Sequence, residues 1–516
     1  MRKTILSILA VMVAALAAAQ VDPWGDLPDM DDFDKFRSQA NAMLGNYRRQ
    51  SDSLLRDYRD SINARFARQL REPWLPFEVQ AGETRPSTPK PTTPPVAPSE
   101  PPATPVDKPQ PLPMQPISFV DLYDIPVEPV RNLPPMPLPS FANRYDISFF
   151  NRVMHFTAPD RSILDGCTLK GTSENDVGEL WDSFMSAGFD SCAAELQLAQ
   201  SRQRLSDYAL LLAVKDLTEQ IWPGDENLCT AAAVFLLNQL EFDALMARTS
   251  NGELLLMVVI DGIIWDHSYI ELNNKKYTIF QLHEMRDATI PKDVTIHTYP
   301  FTLPTAGLKC RMALTDSPRL PYKPASQQFE YTYAGMTYTY RANQNLMDFY
   351  DRYPPCDDLA LYANTPVDSS FDAFATQLFS DMVAGKTPRQ AVATILSFMH
   401  KLSYATDDDQ FGFEKWFFCE ENFFYPKNDC EDRSILFSWL VRRFTGLDVV
   451  LLEYPGHAAT AVCFGEDEPE GQYSYYTVKG KRYVVCDPTY IGASIGEPQP
   501  KYAKMQAEVI PLRPVK

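Results

Sequence analysis

The chain has 516 residues, a formal net charge of −19 at pH 7 and a hydrophobic content of 45 %. This length allows two or three domains, and the apolar content is sufficient for buried cores. The acidic balance argues against nucleic acid and anionic membranes as partners, because both require basic patches.

The first residues are typical of an export signal. Met1, Arg2 and Lys3 precede an apolar stretch that ends in Ala-Ala-Ala-Gln at 17–20. The basic, apolar and small-residue parts predict a signal peptide over 1–19 and a periplasmic or secreted mature protein. No later run of about 18 apolar residues could cross a bilayer, so we expect no transmembrane segment after signal removal. An uncleaved membrane anchor is the alternative.

Residues 20–72 form a charged arm, predicted to be helical over 29–71. Steps of three, four or seven separate its larger apolar residues, which predicts one apolar stripe. The members of this stripe are Phe33, Phe36, Met43, Tyr47, Leu54, Tyr58, Ile62, Phe66 and Leu70. The stripe either mediates self-association or pairing with a partner helix, or lies on the chain's own domain.

Residues 73–140 are predicted to be a proline-rich linker, with the prolines densest over 86–116. Such a segment builds no core and favours the extended polyproline II conformation. We interpret it as a spacer, and binding of a partner through its PxxP-like spacing is the alternative.

The sequence predicts an α+β domain over residues 141–320. An apolar helix that Cys229 opens is followed by strand-like segments at 243–248 and 254–260, and then by a hairpin around Asn273 and Asn274. Residues 321–367 are expected to join the domains, because two alternating segments flank Ala334-Gly335 as a β-hairpin. The tyrosines of this hairpin either pack or line a groove.

The last predicted domain, 368–516, contains a set of residues that suits thiol chemistry. Cys430 follows a possible N-cap, Asp429, at the start of a helix that Gly446 would end. His457 begins a strand, and Asp487 closes another strand before Pro488. The helix dipole favours the thiolate of a cysteine in the first turn. A carboxylate that holds an imidazole lets its other nitrogen take the thiol proton.

Three short blocks around these residues resemble the motifs of transglutaminase-like, papain-fold proteins of the exported bacterial type. The blocks are Asp-Cys-Glu-Asp-Arg-Ser at 429–434, Pro-Gly-His-Ala at 455–458 and Val-Cys-Asp-Pro-Thr at 485–489. The resemblance covers roughly 370–500 and implies a papain-like α+β fold with Cys430 as nucleophile, His457 as base and Asp487 as orienting acid. The acidic insertion at 465–471 departs from the family pattern and leaves the strand register open.

The order of elements in 225–281 mirrors that in 425–487. Alignment of 274–281 with 480–487 places Gln281 on Asp487, and Glu253 falls on His457. We therefore hypothesise a degenerate copy of the same fold in which Cys229 is inert, because neither replacement takes a proton at neutral pH as imidazole does. Two α+β domains with a chance likeness are the alternative.

The resulting functional expectation is acyl transfer through a thioester. A backbone N–H near Cys430 would bind the oxyanion, and Gln410 or Trp416 could supply a second donor. The substrate is expected to be a peptide, a protein or a cell-wall amide, and the resemblance favours a cysteine peptidase or amide hydrolase. Amine transfer that crosslinks proteins and an inactive papain-fold scaffold that binds partners are the alternatives. Asp432 occupies a capping-box position that would steady the turn of the nucleophile.

The nine cysteines are an odd number, so at least one thiol stays free if the others pair. Their scattered spacing lacks the Cys-x-x-Cys pattern of zinc sites, and we expect no metal and no cofactor. His267, His283, His297 and His400 have no partner at the spacing of a metal site or a triad, so structural roles are expected for them.

Overall fold

The computed structural model describes residues 57–87, 90–98, 109–115, 143–285 and 295–515. The predicted signal peptide, most of the predicted arm and parts of the predicted linker lie outside these ranges. The chain divides into two compact units, 1–64 and 65–516. Helix α1 spans 57–70. None of the helices in the described ranges has both the length and the apolar character of a membrane span.

The described part of the second unit mixes helices and strands, as the sequence predicts. Its first half begins with β1 (Leu75–Phe77), β2 (Gln110–Pro111) and the hairpin of β3 (Asn143–Phe149) and β4 (Arg152–Ala158). Five helices follow: α2 (Arg161–Leu164), α3 (Glu174–Ala187), α4 (Asp190–Gln203), α5 (Asp207–Ile221) and α6 (Glu226–Gln239). The strands after them are β5 (Ala244–Thr249), β6 (Leu254–Asp261), β7 (Tyr269–Leu272), β8 (Lys275–Phe280), β9 (Ile296–Thr298) and β10 (Cys310–Arg311).

The second half begins with the predicted hairpin, which the structure confirms as β11 (Phe329–Tyr333) and β12 (Met336–Tyr340). The helices are α7 (Gln344–Asp351), α8 (Leu359–Asn364), α9 (Ser369–Val383), α10 (Pro388–Met399), α11 (Asp407–Gln410) and α12 (Cys430–Thr445). The last strands are β13 (Asp448–Tyr454), β14 (His457–Cys463), β15 (Ser474–Val478), β16 (Lys481–Cys486) and β17 (Glu508–Pro511). Tyr340 of the hairpin stacks on Phe374 and is buried, so this tyrosine packs.

The two halves contain sheets that share an order of five strands. This order is β9-β5-β6-β8-β7 in the first sheet and β17-β13-β14-β16-β15 in the second, while β1 adds beside β9, β2 adds beside β15 and β10 pairs with β6. Within both sets of five, neighbouring strands pair antiparallel, and β9 and β17 each pair with the strand that follows the helix. Helix α6 packs on β5 and β6 as α12 packs on β13 and β14.

The register of the two sheets also coincides. Thr460 pairs with Cys486 in the second sheet, and Leu256 pairs with Phe280 in the first. Thr460 follows His457 by three residues, and Leu256 follows Glu253 by three residues. The two hairpins turn at Asn273-Asn274 and at Lys479-Gly480, where all four residues have positive φ, as the tight turns of twisted hairpins require. The segments 225–281 and 425–487 therefore share a register at these pairs.

One detail of that alignment is wrong. Helix α6 begins at Glu226, so Cys229 does not open it but lies at its fourth residue. The Cys229 thiol donates to the carbonyls of Thr218 and Trp222 at 3.4 and 3.2 Å. The apolar run after Cys229 suggested a later start, but Asp225 caps the helix by accepting the Leu228 N–H. Glu226, as the first residue of α6, is therefore the counterpart of Cys430.

The described parts of the predicted linker are bound along the second unit, which differs from a free spacer. Strand β1 pairs with β9 and β2 pairs with β15, so the segment contributes an edge strand to each sheet. Leu112 is buried in the core of the second sheet. Proline lacks an N–H but does not prevent pairing at a sheet edge, where one side of the strand needs no donor.

The end of the predicted arm, within the second unit, packs on its own domain. Phe66 and Leu70 are fully buried, and the Phe66 ring lies 4.9 Å from that of Trp181. This contact favours the second interpretation of the apolar stripe for its last turn.

Candidate active site

His457 and Asp487 meet at the rim of the second sheet. His457 begins β14, and Asp487 follows the last residue of β16. Because Thr460 pairs with Cys486, Asp487 stands opposite Ala459, two residues from His457 and on the same face. The Nε2 atom of His457 lies 2.9 Å from Oδ2 of Asp487. The register that the sequence left open therefore brings the two residues together.

Four polar groups surround the Asp487 carboxylate. Its Oδ1 accepts the backbone N–H groups of Thr489 and Tyr490, at 2.9 and 3.2 Å. Its Oδ2 accepts from Gln499 Nε2 at 2.8 Å, besides the contact with His457. Burial opposes ionisation, but His457 and these donors lower the pKa of Asp487 below its ordinary value. The carboxylate is therefore ionised and aimed at the imidazole.

The imidazole of His457 is fixed in orientation. The ring of Tyr502 stacks on it with a centroid distance of 4.5 Å and an angle of 22°. Gln499 Nε2 lies 3.0 Å from His457 Nε2 and donates to the same Asp487 oxygen that the imidazole contacts. With Nε2–H donating to Asp487, the lone pair of Nδ1 remains for proton transfer.

Cys430 is the first residue of α12, where the sequence predicts it, with Asp429 as N-cap and Gly446 as the left-handed C-cap. Ser434 follows one turn later on the same face, and its hydroxyl donates to the Ala458 carbonyl at 3.1 Å. Since Ala458 directly follows His457, this bond holds the start of the helix against the start of β14. Tyr502 lies within electrostatic range of both the Cys430 thiol and Asp487.

The ionisation of the Cys430 thiol differs from the helix-dipole expectation. Burial, Glu431 and Asp429 raise the pKa of Cys430 well above its ordinary value, and Lys90 only partly opposes them. The Sγ atom lies 2.9 Å from Oε2 of Glu431 and donates to it. Desolvation and two adjacent carboxylates thus outweigh the positive end of the helix, and the resting thiol is neutral.

Lys90, from the predicted linker, lies among three carboxylates beside the thiol. Its Nζ is 2.5 Å from Glu414, 2.7 Å from Asp429 and 2.7 Å from Glu431. Burial acts to lower the pKa of Lys90, but these neighbours raise it far above its ordinary value, so the ammonium group is charged. Ligand atoms of Asp429, Cys430 and Glu431 lie within 4.8 Å of one another, so these three residues could also hold a metal ion.

The side chains of the two predicted oxyanion donors have other partners. Trp416 donates its indole N–H to Glu414 Oε1 at 2.9 Å. Gln410 Nε2 is 3.4 Å from the Lys427 carbonyl. The backbone N–H groups of the first turn of α12 have no acceptor within the helix and are the better placed donors.

Asp432 and Arg433 hold the turn around Cys430. Asp432 accepts the backbone N–H groups of Phe417 and Asp429, at 2.9 and 3.1 Å, as its capping-box position predicts. Fully buried Arg433 donates to Asn428 Oδ1 at 2.8 Å and to the Leu402 carbonyl at 2.7 Å.

The first sheet carries a counterpart of the His457–Asp487 contact. Nε2 of Gln281 lies 3.0 Å from Oε1 of Glu253, at the same register positions. The residue types that the alignment proposed are thus in contact, and neither of the two is an imidazole.

Sequence reasoning missed Lys90, Gln499 and Tyr502. Lys90 lies in a low-complexity segment, and Gln499 and Tyr502 follow a loop that no sequence pattern connects to His457 or Asp487. The separation of Gln499 from Asp487 by 12 residues is too long for a turn motif.

All nine cysteines lie in described ranges and carry free thiols, so no disulfide staples the fold. Of the histidines predicted to be structural, His400 contacts the site. Its Nε2 is 3.3 Å from the Asp487 carbonyl, and burial lowers its pKa. His267 Nδ1 contacts the Trp265 carbonyl at 2.9 Å.

No family model, curated protein or solved structure matches this chain.

Proposed function

We propose that the chain is an exported thiol acyl-transfer enzyme of the transglutaminase-like type that cleaves amide bonds as a cysteine peptidase or amide hydrolase. The observation that carries the proposal is the 2.9 Å contact between His457 and Asp487, with Cys430 at the adjacent helix start. The three motif blocks and the N-terminal signal pattern support the family and the export.

The proposed reaction begins when an amide carbonyl reaches the Cys430 thiol. The thiol proton passes to Nδ1 of His457 as Sγ forms a bond to the carbonyl carbon. Asp487 stabilises the imidazolium, and backbone N–H groups at the start of α12 bind the oxyanion. The C–N bond then breaks, and the amine leaves with the proton that His457 returns. A water molecule, deprotonated by His457, hydrolyses the thioester and regenerates the thiol.

The hydrogen bond from Cys430 to Glu431 must break before that attack. A thiol that donates to Glu431 cannot give its proton to His457 at the same time. In the proposed reaction, rotation of the Cys430 side chain breaks this hydrogen bond and turns the thiol toward His457. The resting arrangement is therefore inactive, and substrate must compete with it.

The resting hydrogen bond from Cys430 to Glu431 also favours a second candidate function, an inactive scaffold. Cys430 is only 2 % exposed, and its neighbours hold it in the protonated form. The first half of the unit already presents the same order of five strands with Glu253 and Gln281 in the positions of His457 and Asp487. A scaffold would retain the contacts around His457 and Asp487 purely for packing.

The purified mature chain, incubated with a peptide library and with cell-wall peptide fragments, separates the two functions. Mass spectrometry would detect new amine and carboxyl termini. We expect cleavage by the wild type, none by Cys430→Ala and unchanged cleavage by Cys229→Ala, a matched loss of a buried thiol in the first half. Cleavage that survives Cys430→Ala, or no cleavage of any library member, would contradict the enzymatic proposal.

A further inference from the structure

The described residues 90–98 of the proline-rich segment, here called the strap, run from the nucleophile to the loop after Asp487. At one end Lys90 reaches the carboxylates on either side of Cys430, and the Pro91 carbonyl accepts the Tyr404 hydroxyl at 3.0 Å. At the other end Ala97 N–H donates to the Ile491 carbonyl, and Ile491 N–H donates to the Pro95 carbonyl, both at 2.8 Å. The strap thus connects both sides of the candidate active site.

The ion pairs of Lys90, at one end of the strap, are buried and do not lie at the surface. The Lys90 side chain is 6 % exposed, and those of Glu414, Asp429 and Glu431 are 10 %, 0 % and 9 % exposed. A buried ammonium group requires such partners, because desolvation of an unpaired charge is costly. Oδ1 of the fully buried Asp429 has no hydrogen-bond partner among the described residues, so the pocket retains an unused acceptor.

The strap is directly connected to the nucleophile. Oε2 of Glu431 accepts both the Lys90 ammonium group at 2.7 Å and the Cys430 thiol at 2.9 Å. Lys90 therefore helps to hold Glu431 in the position in which it binds the thiol proton and keeps it from His457.

The Ile491 end of the strap uses the backbone of the site. Val96 and Ile491 form a parallel bridge, four residues beyond Asp487. Addition of an extended segment to exposed backbone groups is a general mode of peptide recognition, in which the main chain gives affinity and side-chain pockets give specificity. Here Ile491 supplies the backbone groups, and the three carboxylates supply the pocket.

We propose that the strap occupies the peptide groove of the Cys430 site as a built-in inhibitor, and that its Lys90 fills a subsite for an ammonium side chain of the substrate. This inference rests on the proposed function. An extended peptide with a lysine side chain would displace the strap, place its ammonium group among Glu414, Asp429 and Glu431, and free the thiol from its resting hydrogen bond.

Alkylation of Cys430 by limiting iodoacetamide, followed by peptide mass spectrometry, tests the inference on the full mature chain. We compare the wild type with Lys90→Gln, which removes the ammonium group from the pocket, and with Ala97→Pro, which removes the backbone donor to Ile491 but keeps Lys90. The matched control is Lys275→Gln, because Lys275 pairs with buried Asp243 at 2.5 Å in the first sheet. Melting curves establish that each variant is folded.

We expect at least tenfold faster labelling in Lys90→Gln and Ala97→Pro and no change in Lys275→Gln. Charge alone predicts the opposite for Lys90→Gln, because Lys90 favours the thiolate of Cys430. A free peptide with the sequence of 84–98 should then protect Cys430 in Lys90→Gln, whereas the same peptide with norleucine at the lysine should not.

Unchanged or slower labelling in both variants would overturn the inference, as would equal protection by the two peptides. Labelling and protection require no turnover. Faster labelling with lysine-dependent protection but no cleavage of any peptide would therefore reject the proposed function and leave the strap as the occupant of the pocket. Cleavage without any effect of the strap variants would reject the strap alone.

Discussion

The amide of Gln281 contacts the carboxylate of Glu253 at 3.0 Å, in the same register positions at which Asp487 contacts His457 at 2.9 Å. One topology thus carries two diagonal pairs, one that can transfer a proton at neutral pH and one that cannot. The Gln281–Glu253 pair is therefore an internal control for experiments on the His457–Asp487 pair.

Changes in the first pair should leave the chemistry of Cys430 unchanged. Glu253→Gln keeps the size of the side chain and a hydrogen bond to Gln281. We expect cleavage rates and Cys430 labelling within twofold of the wild type, since the pair belongs to another sheet. A loss of activity with an unchanged melting temperature would mean that the first sheet takes part in the reaction.

Asp487→Asn should inactivate the protein without unfolding it. An asparagine carbonyl can still accept from Thr489 and Tyr490, but its NH₂ group would face Nε2 of His457 and favour the wrong imidazole tautomer. We expect kcat to fall by about 10² to 10⁴-fold, the range typical of lost acid–base catalysis. Steady-state kinetics and a melting curve measure the two effects. Activity within twofold of the wild type would contradict the assigned role.

Gln499 acts as a positioning residue, because its Nε2 donates to Asp487 at 2.8 Å and adjoins Nε2 of His457 at 3.0 Å. A hydrogen bond to a charged group contributes about 1.5–3 kcal/mol, so Gln499→Ala should lower kcat by about tenfold or more. We expect KM to change little and the pKa of Asp487 to rise, which NMR titration of the labelled carboxyl group can detect. An unchanged pKa with a large rise in KM would assign Gln499 to substrate binding instead.

Glu453 should make the stability of the fold depend on pH. Burial and Glu508, directly opposite on β17, raise the pKa of Glu453 to about 7. A raised folded-state pKa contributes stability below the unfolded value of about 4.3 that is lost as the pH rises through 7. Glu453→Gln should therefore gain stability over the wild type above pH 7, by up to about 3 kcal/mol, and little at pH 4. Urea denaturation at both pH values measures the gain, with exposed Glu466→Gln as control. A constant difference across this range would contradict the assignment.

Much of the site was predictable because its residues mark the ends of regular elements. Asp429 and Gly446 bound α12, Pro455-Gly456 turns the chain before His457, and Pro488 ends β16, so each triad residue was assigned to an element terminus. Hydrophobic alternation also predicted the hairpins in both halves.

The other features of the site depend on contacts between residues far apart in sequence. Lys90 reaches Glu431 across 341 residues, and composition indicated only an extended proline-rich spacer for its segment. The raised pKa of Cys430 follows from burial and from two carboxylates, whereas the sequence indicated only the helix dipole. The start of α6 was misjudged because apolar residues in its second turn outweighed the Asp225 cap.

The most direct test of the central claim, that His457 activates Cys430, is the rate of Cys430 alkylation at pH 7 in the wild type and in His457→Ala. The strap is identical in both chains, so its effect cancels in the ratio of the two rates. If His457 activates Cys430, alkylation of Cys430 should be at least tenfold faster in the wild type than in His457→Ala, because the imidazole takes the thiol proton. Equal rates, with labelling that rises only at strongly alkaline pH, would show a buried structural thiol and would contradict the account.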